Sequence, residues 1–130
     1  MTDVVVTVPK GLWTEWLEEG DLAGEPWSEE AEYHFWIPRQ PLPKIEPGER
    51  VYIVAHGKVR GYAPLVRIER SCRLAPNRAC LVRRGGAVAV TWACHNGPGW
   101  EPVTVRGFQG WRYRWWSVNA EQPFDAWREP

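Results

Sequence analysis

The sequence lacks most features that mark secreted, membrane-spanning or metal-binding proteins. Its cysteines, Cys72, Cys80 and Cys94, are an odd number. The first residues, MTDVVVTV, have neither the basic stretch of an export signal nor the apolar length of a membrane span. The cysteines and His95 do not match a zinc spacing, which has two close ligand pairs. We therefore predict a cytoplasmic protein with no disulfide, metal, cofactor or membrane contact.

Motifs of nucleotide hydrolysis are also missing. The sequence has no phosphate-binding glycine loop and no Gly-x-Ser-x-Gly elbow. Lysine is scarce, at 3 against 13 arginines, and arginine suits bidentate contacts with phosphates and bases. Residues 1–49 hold 3 basic and 11 acidic side chains, for −8, and residues 50–130 hold 13 and 5, for +8. This asymmetry indicates either a basic surface for nucleic acid or two halves that neutralise each other.

Tryptophan, in contrast, is abundant, with 10 among 130 residues. Its large ring with a single N–H is common where an apolar side meets a polar side. A core of this size cannot bury ten such rings completely. We therefore expect several tryptophans to line a cleft or a contact surface.

The clearest structural pattern is a long β-hairpin over Arg50–Ile68. Apolar residues alternate with others along its first half, which is typical of a strand with one face in a core. His56 and Gly57 form the turn, since glycine reaches positive φ without strain. We predict this hairpin at the centre of the fold and a structural role for His56.

Shorter patterns predict the remaining elements. We predict strands at Val4–Val8, Tyr33–Ile37, Val103–Arg106 and Trp111–Trp116, a helix over Lys10–Glu19 ended by Gly20, a second hairpin of Ala79–Arg83 and Ala87–Trp92, loops over Asp21–Ala31 and Asn96–Trp100, and a terminal segment Pro123–Trp127. Without a repeat or a domain boundary, residues 1–130 should form one domain. Six or seven short strands with one early helix predict a mainly β (α+β) fold, a mixed and mostly antiparallel barrel.

Three segments carry a resemblance to a known family. The opening strand–helix unit, Ile45–Val51 (IEPGERV) and Gly57–Pro64 (GKVRGYAP) resemble the PUA-like superfamily, and within it the ASCH and EVE branches. Gly107–Trp116 is similar to a segment of small uncharacterised bacterial members. The resemblance implies a PUA-like pseudobarrel with a cleft between the first helix and the central strands. It also implies binding of RNA or of a modified base.

Residues suited to this function are present. An unpaired base needs an aromatic ring to stack on, polar groups for its edge and basic groups for the phosphates. We expect Trp16 to lie in the core, and His34 is a further possible donor. The predicted aromatic contacts are Trp13, Trp36 and Tyr62, and the predicted phosphate or edge contacts are Lys10, Arg60, Arg67, Arg112 and Arg114.

Two alternatives remain open. Some ASCH members resemble amidohydrolases that act on acylated pyrimidine nucleosides through a lysine, a threonine and a glutamate, and others resemble ribonucleases. Here Lys10 and Thr14 lie one helical turn apart, and Glu49 is the candidate acid, but the family's compact Lys-x-x-Thr spacing is absent. The other alternative is a protein-interaction module that uses exposed tryptophans. The sequence does not show whether the ligand is RNA, DNA or a free nucleoside. It also does not show the oligomeric state.

Overall fold

The computed structural model describes residues 2–18, 28–72 and 75–124. The elements in chain order are β1 (Val4–Thr7), α1 (Lys10–Glu18), β2 (Ser28–Ile37), β3 (Arg50–Ala55), β4 (Lys58–Glu69), β5 (Ala79–Gly85), β6 (Val90–Asn96), β7 (Gly99–Pro102), β8 (Trp111–Tyr113), a 3-10 turn (Val118–Ala120) and β9 (Glu121–Pro123). The prediction of a mainly β fold with one early helix is confirmed. The predicted helix stop at Gly20 and residues 21–27 of the predicted loop lie outside the described residues. Residues 28–31 belong to β2, so this part of the loop prediction is wrong.

Six strands form a mixed sheet in the order β2-β5-β4-β3-β1-β8. β1 runs parallel to β3, with Val4 opposite Val51, and the other neighbours in this sheet are antiparallel. Val4 and Val6 enter one core cluster, and Val5 enters another on the opposite face. Because β1 is covered on both faces, its sequence is a continuous apolar run.

The predicted central hairpin is confirmed as β3 and β4. Ala55 pairs with Lys58 across a two-residue turn in which His56 has φ 49° and Gly57 has φ 76°. Positive φ at both positions gives the turn a twist that matches its strands. Gly61 on β4 allows a close approach, since a Cβ there would lie 2.4 Å from the carbonyl oxygen of Val88.

The second predicted hairpin is wrong. β5 lies between β2 and β4, so both of its edges are already paired. The chain therefore leaves the first sheet, forms an isolated bridge between Tyr62 and Val88, and continues as β6. β6 is the centre of a separate sheet of order β7-β6-β9. β7 and β9 were not predicted, because β7 lies in a Gly/Pro-rich segment and β9 has only three residues.

The C-terminal patterns are also corrected in part. Val103–Arg106 is not a strand, because its backbone follows two different partners: Val103 donates to Trp92 at 2.8 Å and Val105 to Gly57 at 2.7 Å. The predicted strand at Trp111–Trp116 ends at Tyr113. In the predicted terminal segment, Pro123 belongs to β9, and residues 125–130 lie outside the described residues.

The strands are not closed into a barrel, so the expected closure is corrected. The order of the six-stranded sheet is linear, with β2 and β8 at its two edges. The irregular segment Pro38–Glu46 contacts the β8 edge instead. The Trp111 indole donates to the Pro41 carbonyl at 3.2 Å, and the Lys44 amide donates to the Tyr113 hydroxyl at 2.9 Å. To close the barrel, the β8 edge would have to pair with another strand. An irregular segment contacts that edge in its place.

Glu121 on β9 joins the two sheets. Its side chain is 7% exposed and accepts hydrogen bonds from the Tyr52 hydroxyl at 2.6 Å and from the Trp116 indole at 2.9 Å. Arg50 lies 3.3 Å from the same carboxylate and 4.2 Å above the Tyr62 ring. Burial, and then the bond to Glu121, raises the pKa of Tyr52 well above its ordinary value.

Cys72 and Cys80 form a disulfide, so the prediction of no disulfide is wrong. The intervening segment turns back on itself: the Cys72 amide donates to the Arg78 carbonyl at 3.0 Å, and the Arg78 amide to Ala75 at 2.9 Å. The two Cα atoms are thereby 5.6 Å apart, a usual distance for a disulfide. Within the ranges that the structure describes, no group of three metal-ligating side chains occurs, and no helix is long and apolar enough to cross a membrane.

Candidate functional site

A groove lies where β1 ends and α1 begins, and it has two adjoining lobes. One lobe has a volume of about 610 Å³ and the other about 650 Å³. We call them the Trp36 lobe and the His56 lobe after a residue that each contains. The residues that line both lobes are Thr7, Pro9, Phe108 and Gln109. These shared residues form the ridge between the lobes.

The Trp36 lobe is rich in aromatic rings. β2 alternates, so that Phe35 is partly buried while Trp36, on the opposite face, is 50% exposed. α1 contributes Trp16, whose ring lies 6.0 Å from Tyr33 and 5.4 Å from the Arg83 guanidinium. Neighbouring rings and a cation thus hold Trp16 in place, whereas Trp36 offers half its surface to solvent.

Polar groups accompany these rings. Thr7 lines both lobes, and its buried hydroxyl has no hydrogen-bond partner among the described residues. The imidazole of His34, the amide of Gln109 and the guanidinium of Arg78 also line the Trp36 lobe. His34 lies 3.8 Å from Glu69 on the outer face of the sheet. Together these groups supply donors and acceptors around an aromatic surface.

The charge of the groove is one-sided. Among its described lining residues there is no aspartate or glutamate, whereas the arginine Arg78 is present. Arg112 is exposed on β8, and its guanidinium lies 4.7 Å from the Phe108 ring on the ridge. The groove therefore favours a neutral or negatively charged ligand.

The aromatic predictions divide in the structure. Trp36 lines the groove, and its role in stacking stays a prediction. Trp13 is only 1% exposed, in a core cluster with Val8 and Ile53, so the prediction that it lines a cleft is wrong. Trp16, which was expected in the core, is partly buried and lines the Trp36 lobe. Tyr62 is partly buried beneath Arg50 and against Tyr52, outside both lobes.

Three of the predicted arginine contacts are engaged within the fold. Arg60 is 3% exposed and donates to the Ala55 carbonyl, so it is not a phosphate contact at the surface. Arg114 pairs with Asp3 at 3.1 Å and donates to the Trp116 carbonyl. Arg67 makes a bidentate pair with Glu32 and also contacts Glu69. Of the four predicted arginines, Arg112 lies beside the groove.

The three residues of the hydrolase alternative are not brought together. Lys10 and the exposed Thr14 lie on α1, which follows the carboxyl end of β1. Glu49 precedes β3 at the opposite end of the parallel β1–β3 pair and accepts bonds from the amides of Glu46 and Thr2. These bonds, that from Glu46 foremost, lower the pKa of Glu49. Four strand residues, about 13 Å, separate the two ends.

Sequence reasoning missed the residues of the ridge. Phe108 and Gln109 lie between Gly107 and Gly110, at the start of the segment that resembles small bacterial members. That resemblance did not indicate a role for these two side chains. Arg78 was also missed, because only the turn between Cys72 and Cys80 places it against the Trp36 lobe. The available signal was that Phe108 and Gln109 stand between two glycines, outside the alternating apolar pattern of the strands.

No family model, curated protein or solved structure matches this chain.

Proposed function

We propose that the protein is a nucleic-acid-binding module of PUA-like type whose Trp36 lobe takes up one unpaired base, plain or modified. The observation that carries this proposal is that the half-exposed Trp36 shares its lobe with Thr7, whose buried hydroxyl has no hydrogen-bond partner among the described residues. An aromatic face binds the flat surface of any base, and polar groups at its border bind the edge.

The other groups of the lobe fit the same ligand. Gln109 and His34 offer both donors and acceptors, which a base edge requires. The absence of acidic side chains among the described lining residues fits a ligand that carries phosphate. The pseudobarrel of the resemblance has its cleft beside the first helix, and α1 contributes Leu12 and Trp16 to this lobe.

The hydrolase alternative has less support, because Glu49 lies at the far end of β1 from Lys10 and Thr14. The protein-interaction alternative would use exposed rings such as Trp100 and Trp115, which lie outside the groove. These two rings therefore provide a separate surface against which the proposal can be tested.

Replacement of Trp36 tests the proposal, with Trp100 as the matched control. Trp100 also lies on a strand and is 46% exposed, against 50% for Trp36. We expect Trp36→Ala to weaken binding of short single-stranded RNA or DNA by roughly 5- to 150-fold, the equivalent of about 1–3 kcal/mol for one stacked base. Fluorescence anisotropy with labelled oligonucleotides, unmodified and base-methylated, measures this change.

Trp100→Ala should bind as the unaltered protein does. Equal loss in both variants would indicate a diffuse aromatic surface. No binding of any oligonucleotide by the unaltered protein would overturn the proposal and leave the protein-interaction module as the better interpretation.

A further inference from the structure

We infer that the groove holds two consecutive nucleotides of a strand, one base in each lobe, with the linking phosphate over the ridge. This inference rests on the proposed function and extends it from one base to a strand. Its starting point is that two hollows of similar volume share the ridge residues Thr7 and Phe108. A ligand that filled both would cross the ridge.

The volumes of the two lobes bear on the size of the ligand. Pockets for a single drug-sized molecule hold about 300–1,000 Å³. Each lobe reaches this range alone, at about 610 Å³ and about 650 Å³. A free nucleoside in the Trp36 lobe would therefore leave the adjoining His56 lobe to solvent, whereas a dinucleotide would occupy both.

The His56 lobe has the chemistry for a second base. Its walls include the His56 imidazole, the apolar side chains of Val8 and Val105, and the backbone at Gly57 and Gly107. An imidazole ring can stack on a base or bond to its edge. The hairpin turn defines the backbone position of His56, because residues 56 and 57 both have positive φ and lie between two paired strands.

The ridge has the charge for the linking phosphate. Phe108 lines both lobes, and the Arg112 guanidinium lies 4.7 Å from its ring. Arg112 is exposed, and an arginine in this position can bind a phosphate through two N–H groups. Its neighbour on the strand, Arg114, is instead paired with Asp3. A phosphate between the lobes would therefore meet Arg112.

Three ligands separate the contributions of the first base, the phosphate and the second base to the affinity. They are a ribonucleoside, its 3′-monophosphate and the corresponding dinucleoside monophosphate. Isothermal titration measures each dissociation constant for the four base types. We expect about tenfold tighter binding at the last step, within the range for one further stacked base. The affinity of the dinucleoside monophosphate should fall with salt with a log–log slope of about −0.7, the value for one phosphate of a single strand.

Two variants assign these steps to residues. His56→Asn retains a residue that tolerates positive φ, and it should remove the tenfold gain of the second base while nucleoside binding is unchanged. Arg112→Gln should remove the gain from the phosphate and flatten the salt slope. Matched controls are His95→Asn and Arg70→Gln, which alter exposed residues outside both lobes and should change neither step.

The two proposals fail differently. If the nucleoside binds through Trp36 and the dinucleoside monophosphate binds no tighter, the two-lobe inference is wrong and the base-binding function stands. A gain that His56→Asn leaves intact would likewise contradict the inference. If no member of the series binds, the proposed function fails, and the inference fails with it.

Discussion

Among the tryptophans that the structure describes, Trp13 and Trp36 differ in what covers their rings. Trp13 is enclosed by Val8, Ile53 and Ala87, with the Arg60 guanidinium 5.6 Å from its ring. Trp36, on the outer face of an edge strand, is 50% exposed. The first ring removes apolar surface from water, and the second remains available for contact. Burial therefore separates structural tryptophans from candidate binding residues.

Trp13→Ala should accordingly destabilise the protein far more than Trp36→Ala. We expect the free energy of unfolding to fall by about 3–5 kcal/mol for Trp13→Ala, as for other large-to-small changes of buried aromatic residues. The loss for Trp36→Ala should stay within about 1 kcal/mol, because half of its ring is exposed in the native state. Urea denaturation followed by circular dichroism gives both values. A Trp13→Ala protein as stable as its parent would place this ring outside the core.

The sequence alone could assign some of these side chains but not all. The strand predicted at Tyr33–Ile37 is confirmed within β2, and alternation along a strand places Phe35 and Trp36 on opposite faces. The preference for Trp13 over Trp16 as the contact residue was wrong, because both lie on one face of α1, three residues apart, and the pattern does not distinguish them. The difference arises from Arg60 and Ala87, which are remote in sequence and cover Trp13 only after the sheets have formed.

The turn before β3 depends on one carboxylate. Glu49 accepts hydrogen bonds from the backbone amides of Glu46 and Thr2, and the first of these is the main cause of its lowered pKa. It thereby ties the turn before the central hairpin to the segment that precedes β1. These bonds are made by the ionised carboxylate, so their contribution depends on pH.

Acid should therefore weaken this turn. Because the pKa of Glu49 is lower in the folded protein, its contribution to stability is present above the ordinary carboxyl pKa of 4.5 and is lost as pH falls through the folded-state pKa. Glu49→Gln should lower the free energy of unfolding by roughly 1 kcal/mol at neutral pH and reduce the loss of stability below pH 4.5.

Thermal denaturation across pH 3–7 measures this effect, with Glu46→Gln as control. Glu46 is a neighbouring exposed glutamate whose carboxylate is not part of these bonds. The same acid dependence in both glutamine variants and the parent would contradict the role assigned to Glu49.

Local patterns predicted elements well where pairing is local, and poorly where it depends on the rest of the sheet. The central hairpin was predicted because its turn residues and alternation lie within one segment. The prediction of the second hairpin failed because β2 and β4 occupy both edges of β5, so neither edge is left for β6. The sequence of Ala79–Gly85 contains no information on which strands flank it.

The two sheets of the molecule are connected through a partly buried ion pair, between Arg50 and Glu121, and its hydrogen bonds. Glu121 on the small sheet accepts from Tyr52 on the large sheet and from Trp116, and it pairs with Arg50. A carboxylate with three partners and a side chain 7% exposed is stable because the partners compensate for its lost hydration.

Loss of this carboxylate should loosen the contact between the sheets. Glu121→Ala leaves a partly buried arginine and two donors without their acceptor, and we expect it to cost about 3–5 kcal/mol of unfolding free energy. Glu121→Gln keeps one acceptor oxygen and should cost less. Glu101→Gln, an exposed position on the same small sheet, is the control. Denaturant unfolding measures all three, and a neutral Glu121→Ala would contradict the role assigned to this carboxylate.

At the level of the whole chain, composition and strand count could predict a mainly β fold with one helix. They could not predict whether the sheet closes, because that depends on how the irregular segment Pro38–Glu46 is placed against β8. The groove lies in the same region: Gly110 lines the Trp36 lobe, and a Cβ added at Gly110 would lie 3.6 Å from Pro38. The candidate site is thus a product of the open edge, which no local motif encodes.

The position of β1 has a consequence for how the protein folds. β1 pairs with β3 and with β8, and the adjoining ion pair of Asp3 and Arg114 joins residues 111 positions apart. During synthesis this strand must remain without its second neighbour until almost all described strands have been made. Contacts of such high sequence separation are formed late and slow the folding reaction. Until its partners have been made, the apolar β1 also exposes the nascent chain to aggregation.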